Sequence, residues 1–158
     1  MKLDKELLDR LLDEASANPR RRQNLDLRTS VSDTSQRMLN AILPGSVVPV
    51  HRHSLTSETV VCLRGRLDEV FYVEDTVYES SDAAFPRGMD ARDVTKKTCL
   101  RELRRVSLCP SEGCFGCQIP KGMWHTVEVY EPSVILEAKD GAYMPCCPDD
   151  VFNDKEVY

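Results

Sequence analysis

The sequence predicts an all-β fold behind a single N-terminal α-helix, and three observations carry that expectation. From residue 36 onward, short runs rich in Val, Leu and aromatic residues follow one another: RMLNAIL, SVVPV, ETVVCLRG, LDEVFYVE, TVYES, CLRELRRVSL, CFGCQIP, HTVEVY and SVILEA. Pro-Gly, Arg-Gly and Glu-Pro punctuation separates them instead of helical periods, which is the pattern of a sandwich or barrel. At 158 residues and 41% hydrophobic content the chain can close one core, so a single domain over 1–158 is expected.

The elements follow in chain order. Leu3, Leu7, Leu8, Leu11, Leu12 and Ala15 recur at helical spacing with charges between them, and Asn18-Pro19 supplies a stop, so 3–17 reads as an amphipathic helix within an N-terminal extension over 1–32. PRRRQNLDLRTS reads as a basic linker in which Arg20, Arg21 and Arg22 form a solvated run, with a role at a pocket edge as the alternative. The strand-rich texture then occupies 36–145, interrupted by SSDAAFPRGMDARDVTKKT (80–98), which lacks a clean period and reads as a long loop.

Charge and composition exclude several classes. With 26 acids against 21 bases the net charge is -5, which disfavours a partner built on phosphate backbones, so no nucleic acid is expected. MKLDKELLDRLLDEA is charged throughout and no apolar run reaches the roughly 18 residues of a bilayer span, so neither a secretory leader nor a membrane association is expected and the location reads as cytoplasmic. Seven cysteines, an odd number without a leader, read as thiols.

The chemistry concentrates in PVHRHSLTSE, residues 49–58. In extended backbone His51 and His53 point to one side, and a hairpin through the polar turn at 54–57 returns Glu58 beside them. Two imidazoles and a carboxylate suit a divalent transition ion such as Zn, Fe, Mn or Ni better than Ca or Mg. His125, the last of the chain's three histidines, follows the Pro120-Lys121-Gly122 turn and is positioned to reach the same cavity. The cysteines offer a rival site at Cys114-Phe-Gly-Cys117, with Cys109, Cys146 and Cys147 as further thiolates, but a lone C-x-x-C pair without a second at matching spacing is a weak signal.

Gly45, His51, His53, Glu58 and Gly65 meet every specified position of the first cupin motif, and Pro120, Gly122 and His125 meet the middle of the second, with Cys114 and Val129 in place of its glycine and asparagine. The chain therefore resembles the cupin superfamily, and RRRQN, QRMLNAILPGSVVPVHRH, SETVVCLRG, KGMWHTVEV and EAKDGAYMP resemble the WbuC-like cupin-fold metalloproteins. That resemblance implies a double-stranded β-helix, a jelly-roll barrel with a metal held by His51, His53, Glu58 and His125, a homodimer, and a small polar, sugar-like substrate connected with surface polysaccharide; it implies no particular reaction. A metal-dependent ligand-binding or sensing module without turnover is the alternative. Polar residues embedded in apolar runs, Arg37, Asn40, Arg64, Glu137 and Lys139, are candidate substrate contacts, since burying them is costly unless they line a cavity; Tyr143 is a candidate for closing the mouth. Trp124, facing opposite His125, is expected in the core.

Overall fold

The computed structural model describes residues 1–80 and 94–152. Among these residues the chain is mostly β, with one α-helix, α1 (Lys5–Ala17), and eight strands: β1 (Arg22–Asp26), β2 (Ser35–Ile42), β3 (Glu58–Arg64), β4 (Leu67–Ser80), β5 (Val94–Leu108), β6 (Gly116–Ile119), β7 (Trp124–Val129) and β8 (Ser133–Asp140). They form two antiparallel sheets in the orders β1-β2-β8-β3-β6 and β5-β4-β7. Most of the 80–98 segment expected as a loop, 81–93, lies outside the described residues; Val94 to Thr98 belong to β5, paired with Thr76 to Ser80 of β4.

Alternation along the strands sorts side chains into three apolar layers. Ile42, Val60, Cys62, Ile119 and Ile135 of the larger sheet meet Leu67, Phe71 and Leu108 of the smaller one, so the main core lies between the sheets. On the outer face of the five-stranded sheet, Leu39, Ala41 and Val134 receive Leu7, Leu11 and Ala15 of α1. Asp4 starts that helix by accepting a hydrogen bond from the Leu7 N–H at 3.1 Å, and its apolar stripe is the 3.6-residue period read from the sequence. Val70, Tyr72, Leu100 and Trp124 form the third layer outside the smaller sheet, where Phe152 meets the Trp124 ring edge-on at 5.8 Å. Trp124 is thus buried, but on the outer face. Among the described residues no helix is long and apolar enough to cross a membrane.

Two further sequence expectations change. The basic linker contains β1, whose register with β2 runs from Arg22↔Ile42 to Asp26↔Met38. Its charges hid it, because an edge strand has one partner and its polarity carries no clean alternation. SVVPV forms no strand: of the stretch 43–57 only His51 makes a β-bridge, once to His125 and once to Val151. Gly65 closes the β3–β4 turn at φ +88°, and a Cβ there would lie 2.4 Å from the Pro132 carbonyl oxygen, so both backbone angle and packing demand glycine.

Candidate metal and ligand site

The backbone brings the histidines together before their side chains do anything. The His51 N–H donates to the His125 carbonyl at 3.0 Å and the His125 N–H returns to His51 at 2.8 Å, while the Gly122 N–H, from a turn at φ +76°, donates to the His53 carbonyl at 2.9 Å. The Phe152 N–H donates to Val50 and the Arg52 N–H to Asp150, both at 2.9 Å, so the C-terminal segment clamps the histidine segment from its other side.

The imidazole rings follow. Ligand atoms of His51, His53 and His125 all lie within 4.8 Å of one another, and they form the one such group among the described residues. His51 Nδ1 sits 3.0 Å from the Pro49 carbonyl oxygen and His125 Nδ1 2.9 Å from that of Met123. A carbonyl only accepts, so each Nδ1 carries the proton and each Nε2 presents a lone pair. Burial, with the neighbouring His125, pushes His51 down to about 4, and burial likewise lowers His125, so both rings are neutral at ordinary pH, as metal ligation requires.

Glu58, 3% exposed, opens β3 with Oε2 2.9 Å from His53 Nε2 and 3.7 Å from His125 Nε2. Burial acts to raise its pKa, but the His53 hydrogen bond and the Lys139 charge outweigh it and hold the carboxyl below the usual range. Lys139 Nζ lies 3.3 Å from Glu58 Oε2, 3.2 Å from His53 Nε2 and 3.7 Å from Glu137 Oε2. The three histidines, with ligand atoms spread over little more than twice a bond of about 2.1 Å, and the ionised Glu58 carboxylate beside them fit a divalent transition ion.

A cavity of about 230 Å³ extends from His51, His125 and Glu58 between the sheets, with Asn40, Glu69 and Glu137 on its walls. The Asn40 side-chain N–H donates to Glu137 Oε1 at 2.7 Å. Burial, and then the Glu58 charge, pushes Glu137 up to about 7. The same causes in the same order raise Glu69 well above its ordinary value, so Glu69 keeps its proton.

The sequence matches the model of a family described as "Domain of unknown function (DUF6016)" over residues 3–82, half of the chain. The chain belongs to this family. No curated protein matches the sequence. Among solved structures, the L-ribose isomerase of Cellulomonas parahominis with L-psicose superposes at TM-score 0.50, with 17% identity over 80% of this chain and 64% of that one. Peruvianin-I, a cysteine peptidase from Thevetia peruviana latex, matches at TM-score 0.50, with 14% identity over 83% and 68%. A cupin 2 domain-containing protein from Halorhodospira halophila matches at TM-score 0.49, with 14% identity over 82% and 72%. At these identities the likeness concerns the fold alone.

Within this family member, the other sequence candidates sit elsewhere. Arg37 pairs with Asp33 at 2.7 Å in the loop before β2, and Arg64 pairs with Asp9 of α1 on the outer face. Tyr143, half exposed, lies beneath the Arg28 guanidinium, 5.1 Å from ring centre to carbon. It also borders a second depression, which His53, Lys139 and Cys146 share. All seven cysteines are free, and burial pushes the Cys117 thiol up to about 12, away from a thiolate. Sequence reasoning missed Glu69, and it preferred a solvated run to a pocket-edge role for Arg20 and Arg22, which line the cavity. Glu69 lay inside the run LDEVFYVE, where its alternation with Phe71 placed it on the inner face, but only the assembled core shows that this face is closed.

Proposed function

We propose that this protein is a cupin metalloprotein in which His51, His53, His125 and Glu58 hold one divalent transition ion beside an inter-sheet cavity that takes a small polar, sugar-like molecule. The observation that carries the reading is the pair of backbone carbonyls that lock His51 and His125 with Nε2 unprotonated beside an ionised Glu58. When bound, such an ion polarises carbonyl or hydroxyl oxygens and lowers the pKa of water. The chain's own residues do the rest: Asn40 and Glu137 offer donors and acceptors to hydroxyl groups, Lys139 neutralises Glu58, and the apolar core between the sheets excludes water. The one-domain organisation, the closed jelly roll, the WbuC-like affiliation, a homodimer in the cytoplasm and a role in surface polysaccharide metabolism belong to the same reading, on the strength of the motif resemblance.

Elemental analysis tests it. The purified protein should carry about one equivalent of transition metal, and His53→Ala should lose nearly all of it while remaining folded by circular dichroism; full occupancy in that variant would overturn the assignment. Incubation of the loaded protein with small sugars, followed by mass spectrometry, then separates an enzyme, which alters them, from a binding module, which returns them unchanged.

A further inference from the structure

Among the described residues, two polar side-chain groups on the cavity walls have no hydrogen-bond partner. Glu69 Oε2 is buried without a hydrogen bond, on a residue 1% exposed. Arg22, half-buried on β1, lines the same cavity, and its side chain makes no hydrogen bond or ion pair among the described residues, the Glu137 charge acting on it only at longer range. Leaving a buried oxygen without a partner is destabilising, so a polar group kept in that state inside a cavity marks the place where a ligand completes it.

We infer that Arg22 and Glu69 set the ligand class: a small hydroxylated anion, its acidic group on Arg22 and a hydroxyl on Glu69. The inference rests on the reading of this cavity as the ligand site beside the histidines. The two residues approach from opposite sheets, Arg22 from the edge strand β1 and Glu69 from β4, so one molecule spanning the cavity meets both. Arg20 adds a second guanidinium to the rim. Glu58 is paired with Lys139 and Glu137 accepts from Asn40, so although the Glu137 charge acts on Arg22, no carboxylate is hydrogen-bonded to its guanidinium among the described residues. A guanidinium fits a carboxylate or phosphate in a two-point contact. With its proton retained, Glu69 both donates to and accepts from a hydroxyl. The volume, about 230 Å³, is below that of a drug-sized site, so the whole ligand is of monosaccharide size or smaller.

Calorimetric titration of the full-length protein, as purified and metal-loaded, with glucose, glucosamine, gluconate and glucose 6-phosphate tests this. At least one of the two anions should bind about tenfold or more tightly than glucose and glucosamine, and the better of the two identifies the acidic group. Arg22→Gln should abolish that margin and Arg22→Lys retain part of it. Glu69→Leu should weaken all four probes while raising the melting temperature, since it removes an unpartnered buried oxygen. Equal binding of neutral and anionic probes, tighter binding of glucosamine, no binding of either anion, or a margin that survives Arg22→Gln overturns the inference. Metal content measured on the same samples keeps the two readings apart. An Arg22-dependent preference in a protein that takes up no metal would refute the metal centre alone, and a metal-replete protein without the preference would refute this inference alone.

Discussion

At the scale of single residues, protonation organises the site. His51 and His125 are neutral because burial opposes their charge, and Glu58 is ionised because His53 and Lys139 overcome that same burial. At Glu69 burial and the Glu58 and Glu137 charges outweigh Lys139, and its raised pKa has a signed consequence for stability. Below its unfolded pKa of about 4.5 the carboxyl is protonated in both states and adds no pH dependence; above it the unfolded chain releases the proton while the folded chain resists, so stability falls as pH rises. The melting-temperature advantage of Glu69→Gln over wild type should therefore be small near pH 4.5 and larger at pH 8; an advantage that shrinks with pH would contradict the protonated state. Lys139 places its ammonium against the atoms assigned to the metal. Two like charges a few ångströms apart repel appreciably even in a protein's effective dielectric, so Lys139→Gln should tighten metal binding about tenfold in a competition titration against a chelator of known affinity.

At the scale of elements, α1 and the turns carry stability and the inner faces of the strands carry chemistry. Leu11, 1% exposed, packs α1 onto β2 and β8, and Leu11→Ala should cost about 2–5 kcal/mol in denaturant unfolding. Metal content should be unchanged, since the helix covers the outer face of the sheet. Gly65→Ala forces a Cβ onto the Pro132 carbonyl in a left-handed backbone conformation, with an expected loss of at least about 1–3 kcal/mol by the same measurement. The helix was legible from its apolar period, and His51, His53 and Glu58 from their spacing. β1 was not legible, because an edge strand with Arg22, Asn24 and Asp26 on alternate positions resembles a linker until β2 is placed beside it. The misplaced strand SVVPV shows the converse. Its valines favour extended backbone, yet hydrogen bonds from a neighbour decide whether a strand exists.

At the scale of the whole molecule, the site depends on pieces far apart in the chain. His51 and His125 exchange two backbone hydrogen bonds, Asp150 and Phe152 fasten the segment from the C-terminal side, and Lys139 arrives from β8. A ligand that binds only this assembled arrangement must stabilise it. At a free metal concentration about a hundred times its dissociation constant the gain is about 2.7 kcal/mol, which should appear as a rise of several degrees in melting temperature, reversed by a chelator and absent from His53→Ala.

The sequence by itself determined the amphipathic helix, the β-rich texture, the turn glycines and the histidine pattern, because each is written in local spacing or in the backbone freedom of single residues. Only the tertiary structure decided that β1 joins the sheet, that Arg37 and Arg64 serve outer ion pairs while Asn40 and Glu137 face the cavity, and that Glu69 is buried without a partner. Those outcomes depend on which strands lie side by side and which faces close over one another, and pairing between distant segments leaves no periodic trace in the segments themselves.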